Sequence, residues 1–232
     1  MVFSDWRTVC RTIAGAAVLL AAYAIPTTLQ AQDNITITRH NFSTLSGRNA
    51  AFTSLATGVA DYGEICVYCH TPHGGQTGAP LWNRSFGAGP YTMYTSPTID
   101  MVIGATPGDV SLACLSCHDG TIGIDVITNP PNSSAAASIG GTIATLFPSG
   151  PNALKNLGTD LRNDHPIGVT FSTLDLAYNT QASIVAAGLR FYGTSANRVE
   201  CATCHNPHSS ANPPFLRRSN SGSQLCLTCH IK

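Results

Sequence analysis

Apolar positions cluster at one end of this chain. The longest apolar run, Ile13–Ile25, lies near the N-terminus, behind Arg7 and Arg11. It is shorter than the ~20 residues that span a bilayer. Leu29-Gln30-Ala31 follows as a small-residue cleavage site. Together these parts predict a secretory signal over residues 1–31, with Gln32 as the mature N-terminus. No later stretch is long and apolar enough to cross a membrane. Asn34–Thr38 (Asn-Ile-Thr-Ile-Thr) alternates with the period of a short strand. The remainder is broken by 21 Gly and 14 Pro and carries only 10% charged residues. It predicts mostly irregular chain, with short helices separated by long loops.

Four copies of Cys-x-x-Cys-His punctuate that irregular chain: Cys66-Val-Tyr-Cys69-His70, Cys114-Leu-Ser-Cys117-His118, Cys201-Ala-Thr-Cys204-His205 and Cys226-Leu-Thr-Cys229-His230. This spacing is the attachment site of a c-type haem. Two thiols add across the haem vinyl groups, and the adjacent His ligates the iron. Tetrahedral zinc sites or redox dithiols also use Cys pairs. Neither explains a His directly after every pair. Four copies predict four haem c groups (iron), and the short helices are expected around them. Long loops ordinarily count against a compact fold; bound porphyrins that fill the core remove that objection. Of the nine Cys, Cys10 leaves with the signal. The other eight all belong to motifs, so none remains for disulfides.

The histidine inventory closes. Eight His occur. Besides the four motif residues, His40, His73, His165 and His208 remain as candidate second axial ligands, since imidazole is a common haem ligand. Their order repeats. His40, Cys66–His70-Thr-Pro-His73 and Cys114–His118 match His165, Cys201–His205-Asn-Pro-His208 and Cys226–His230. The chain therefore reads as two pseudo-repeated dihaem halves, 32–127 and 152–232, joined by a Ser/Ala/Gly/Pro-rich linker over 128–151. The differing spacings predict shared haem arrangement rather than shared backbone detail.

Geometry limits the ligand assignment. Trans axial nitrogens lie about 4 Å apart, twice a metal–nitrogen bond of ~2 Å. That puts the two Cα atoms about 12–13 Å apart, while three residues reach roughly 10–11 Å. His73 therefore cannot oppose His70, nor His208 oppose His205. Each short turn must serve two neighbouring irons. The expected pairing gives His73 to the haem of Cys114/Cys117 and His208 to that of Cys226/Cys229. His40 and His165 are left for the other two.

Charge alters the picture little. The formal net charge is zero, which points to neither nucleic acid nor an anionic membrane as partner. Low charge with 43% hydrophobic residues is compatible with burial against further copies of the chain. Trp82, Phe86, Tyr91 and Tyr94 are candidates for haem packing. Arg217 and Arg218 are candidates for pairing with propionates.

On these motifs the chain resembles the multihaem c-type cytochromes with doubled Cys-x-x-Cys-His motifs. The carrying residues are His40-Asn-Phe-Ser, Cys66–Gly74, Cys114–Thr121, Asn163-Asp-His165-Pro-Ile, Cys201–His208 and Cys226–His230. Within that group it is similar to the OmcE-type extracellular filament subunits. The resemblance implies bis-His iron throughout, a continuous haem chain, and a homopolymer in which a distal His, here His40, reaches a neighbouring subunit. The function expected is electron transfer by an exported protein, extracellular or periplasmic, with other redox proteins or extracellular acceptors as partners. Two further readings stand beside it, a soluble periplasmic carrier and a multihaem reductase. Iron with two His ligands has no open site, so no catalytic residue and no enzyme activity are expected.

Overall fold

The computed structural model describes residues 34–43, 58–87, 89–131, 137–148, 155–172 and 174–231. The proposed signal lies outside them, as do parts of the 128–151 linker. Residues 33–232 form one compact unit. No helix among the described residues is long and apolar enough to cross a membrane.

Regular structure is sparse, as the Gly- and Pro-rich sequence predicts. The helices are α1 (Asp109–His118), α2 (Ile143–Leu146), α3 (Gln181–Ala186), α4 (Cys201–Cys204) and α5 (Cys226–Cys229). Three two-residue strands, β1 (Val102–Ile103), β2 (Val169–Thr170) and β3 (Arg198–Val199), form an antiparallel sheet in that order. Val102 pairs with Thr170, and Thr170 with Arg198. Three of the four motif Cys pairs lie on helices, whereas Cys66–Cys69 forms a turn.

One expectation is overturned. Asn34–Thr38 is not a strand: Ile35–Ile37 is a single 3-10 turn. The Asn34 side chain accepts a hydrogen bond from Thr36 N at 3.0 Å, and the Thr38 N–H bonds the Ile35 carbonyl. A capping Asn offers the backbone a local partner that a strand would need from a neighbour.

Two apolar clusters form the core. Phe42, Val59, Val67, Tyr68, Ile124 and Ile143 make one, with Cys69 and Cys117 packed against it. Met101, Val169, Phe171, Ile184, Leu189 and Phe191 make the other, with Cys229 against it. Each cluster therefore backs motif cysteines with apolar side chains, the surface a porphyrin plate requires.

Polar anchors tie the loops down. Asp125 is fully buried and accepts from Ala60 N, Ile139 N, Gly140 N and Ser138 Oγ. Buried Glu200, just before the third motif, accepts from Ser111 Oγ and Gly108 N at the start of α1. Arg198 lies 3.3 Å from its other oxygen as an ion pair without hydrogen-bond alignment. Glu200 thus clamps the helix of the second motif to that of the third.

Candidate haem centre

The motif backbone places three of the four His alike, while His118 stays within α1. The His70, His205 and His230 N–H groups close a helical turn onto the carbonyls of Cys66, Cys201 and Cys226 at 2.8, 3.1 and 2.9 Å. His205 and His230 then turn extended at the ends of α4 and α5, with ψ of 144° and 135°. The ring leaves the helix axis while the two Cys stay one turn apart on its surface.

Ring orientation is set by the backbone. Nδ1 lies 2.9 Å from the Pro80 carbonyl in His70, 2.8 Å from Lys155 O in His118 and 3.0 Å from Pro214 O in His205. A carbonyl can only accept, so Nδ1 carries the proton and Nε2 is left with its lone pair. Ligating His is held in this way. Burial lowers the pKa of His118 and of His205, keeping both neutral, the form that binds metal. These residues fit a covalently held haem.

The thiols argue against the alternative chemistries. Burial pushes the Cys69 thiol up to about 12 and that of Cys204 up to about 11, and raises Cys117 and Cys229. A reactive dithiol needs a lowered pKa. Cys201 is lowered, chiefly by the neighbouring Cys114. Among the described residues no cluster of three or more His, Cys, Asp or Glu converges as a metal-ion site.

The four motifs are contiguous. Cys69 and Cys117 pack against the same core cluster, and Cys117 adds to the upward shift of the Cys69 thiol. Cys114, on α1, and Cys201, on α4, are electrostatic neighbours across the contact of the two helices. Cys204 lies within electrostatic reach of Cys229 and Cys226. Successive motifs thus adjoin one another in chain order, from first to fourth.

The second set of His is placed unevenly. The His40 ring stacks on Phe215 at 4.4 Å and lies 6.2 Å from the His118 ring, with its Nδ1 3.4 Å from Pro207 O. Burial, then the neighbouring His118, brings its pKa down to about 4. The His208 ring lies 6.2 Å from that of His70, with 22° between their planes. His73 and His165 are exposed. His165 Nδ1 contacts Pro166 O, and the His73 carbonyl accepts from Thr71 Oγ1. Of the candidate packing aromatics, Trp82 stands edge-on to His70, and Tyr91 donates to Asp119 beside His118. Arg217 bonds the Ala202 carbonyl and Tyr192 Oη, so its fork holds the motif helix instead of standing free for a propionate.

The repeat reaches into the backbone, contrary to the expectation of shared arrangement alone. The loop after His70 returns through Pro80-Leu81-Trp82-Asn83, and the loop after His205 through Pro214-Phe215-Leu216-Arg217. Leu81 and Phe215 are both left-handed, at φ of 53° and 62°. Thr71 N bonds Leu81 O, as Asn206 N bonds Phe215 O. Asn83 N bonds Cys69 O, as Arg217 N bonds Cys204 O. The Asn83 side chain reaches Val67 O, as that of Arg217 reaches Ala202 O. Pro80-Leu-Trp-Asn-Arg-Ser85 against Pro214-Phe-Leu-Arg-Arg-Ser219 was the sequence signal for this match.

Residues 194–232, which hold the third and fourth motifs, match the family model of the doubled CXXCH motif. No curated protein matches the chain. The match supports a multihaem c-type cytochrome engaged in electron transfer, with covalently bound haem c.

Proposed function

We propose that this chain is an exported tetrahaem electron-transfer protein whose eight motif Cys and eight His hold four bis-His haems. The observation that carries the proposal is that successive motifs adjoin: Cys69 and Cys117 pack on one apolar cluster, α1 packs on α4, and Cys204 lies within electrostatic reach of Cys229. Haems held by these adjoining motifs would be neighbours, and would supply centres between which electrons can pass. When bound, haem supplies a one-electron couple. The chain's residues orient the imidazoles through the Pro80, Lys155 and Pro214 carbonyls, cover the rings with two apolar clusters, and set the local charge. With both axial positions taken by His, no site is left for a substrate, so the chain is read as a carrier rather than an enzyme.

The same reading extends to assembly: copies of the chain polymerise into an extracellular conducting filament. Leu174 and Leu176 support it, at 89% and 90% exposure on a surface of low charge. Isolated apolar side chains are common on monomers, so assembly needs its own test. Negative-stain electron microscopy of the haem-loaded protein is expected to show thin uniform filaments. Discrete small particles, with a single monomer peak on a sizing column, would replace the filament with a diffusible periplasmic carrier.

A further inference from the structure

We propose that His40 and His118 are the two axial ligands of the haem on Cys114/Cys117, and that His208 and His70 are those of the haem on Cys66/Cys69. The proposal rests on the haem reading above and assigns its ligands.

Distance carries the argument. With metal–nitrogen bonds of ~2 Å and each ring centre about 1 Å beyond its nitrogen, trans imidazoles have centroids roughly 6 Å apart. Both pairs stand at 6.2 Å. Rings in direct stacking would be closer, as His40 is to Phe215 at 4.4 Å. In His40, His118 and His70 the Nδ1 atom is engaged by a backbone carbonyl. The lone pair therefore sits on Nε2, the nitrogen that faces a metal when Nδ1–H is held behind it.

This assignment differs from the one sequence geometry suggested. His208 serves the first haem instead of the fourth, and His40 the second instead of the first or third. It keeps the rule that a short turn serves two irons, and changes which two. His205 belongs to the third haem and His208 to the first. Between them Pro207 offers its carbonyl to His40, and Phe215 stacks on the same ring. One loop, His205–Phe215, therefore touches ligands of three haems. The second half thus lends His208 to the first half's His70, while His40 and His118 pair within the first.

The two pairs differ in ring orientation. His40 and His118 are nearly perpendicular, at 76°, and His70 and His208 nearly parallel, at 22°. Parallel imidazoles split the iron π orbitals and give a rhombic low-spin ferric signal. Perpendicular ones leave those orbitals nearly degenerate and give a strongly anisotropic signal.

Electron paramagnetic resonance of the oxidised holoprotein tests the pairing. His40→Ala is expected to remove one haem's intensity from the strongly anisotropic signals. His208→Ala is expected to remove one haem's intensity from the rhombic signals. In each case an equal high-spin signal appears, and added imidazole restores the low-spin form. His40→Met and His208→Met guard against collapse, because a sixth ligand is retained. Each should bring the sulfur-to-iron charge-transfer band of one His–Met haem and lose the same signal as its Ala counterpart. Exchanged losses, or variants that stay fully low-spin without a new ligand band, would overturn the assignment. A wild-type chain without haem, by the pyridine haemochrome assay, would remove the cytochrome reading itself, and the pairing with it.

Discussion

Arg84 offers the sharpest link between packing and function. It is fully buried, and among the described residues no carboxylate lies within ion-pair distance. Its guanidinium donates instead to Ser116 Oγ and O at 3.3 and 3.1 Å, to Gly123 O at 2.6 Å and to Ile124 O. Guanidinium keeps its proton in proteins. A permanent positive charge therefore sits beside Cys69 and Cys117, where it lowers the pKa of both thiols against the larger effect of burial. The same field favours ferrous over ferric haem. At a separation on the order of 10 Å and an effective dielectric of about 20, the interaction is about 1.7 kcal/mol. For a one-electron couple that is about 70 mV. Arg84→Met is expected to lower the midpoints of the first two haems by several tens of millivolts. It also leaves carbonyls without donors, at ~1–3 kcal/mol each, partly offset by no longer desolvating a cation. Arg84→Lys separates the two effects: the charge stays, the fork is lost, and stability falls while potentials hold. Spectroelectrochemical titration of both holoproteins reads the first effect and thermal melting the second. Unchanged potentials in Arg84→Met, or equal shifts in both variants, would refute the electrostatic reasoning.

The remaining predictions concern stability. Burial opposes ionisation of Asp125, yet three backbone N–H groups and Ser138 hold its carboxyl below its ordinary value. A depressed folded pKa gives stability that is complete above the unfolded pKa of about 4 and is lost as pH falls through the folded value. The thermal midpoint should drop as the pH is taken below about 4, and Asp125→Asn should flatten that part of the profile; an unchanged profile counts against it. Leu115→Ala, at 0% exposure in α1, should cost about 2–5 kcal/mol in denaturant unfolding, and a loss below about 1 kcal/mol would mean the site collapses freely. Glu200→Ala strands Ser111 Oγ and Gly108 N and should cost ~1–3 kcal/mol, with faster amide exchange confined to α1 and α4.

The motifs and the His inventory were legible because covalent chemistry fixes their spacing within five residues. Which imidazoles approach one another was not. His40 meets His118, and His208 meets His70, over long loops whose path no local pattern encodes. Proximity in sequence suggested neighbours within a half, whereas the His205–Phe215 loop reaches into the other. The sheet was equally hidden, since strands of two residues carry no period and Val102, Thr170 and Arg198 meet only in the fold. At Asn34 a local rule overrode the alternation: a capping side chain made a turn where Ile-Thr-Ile suggested a strand. The Pro80 and Pro214 returns were readable in principle, by aligning the halves from their motifs onward instead of comparing spacings.

The central claim is four covalent haems with every iron bis-His. Intact mass of the purified chain, combined with carbon monoxide titration of the reduced protein, tests it most directly. The account predicts a mass increase of four haems on the processed chain and no carbon monoxide adduct. Fewer haems, or a stoichiometric adduct at any iron, would contradict it.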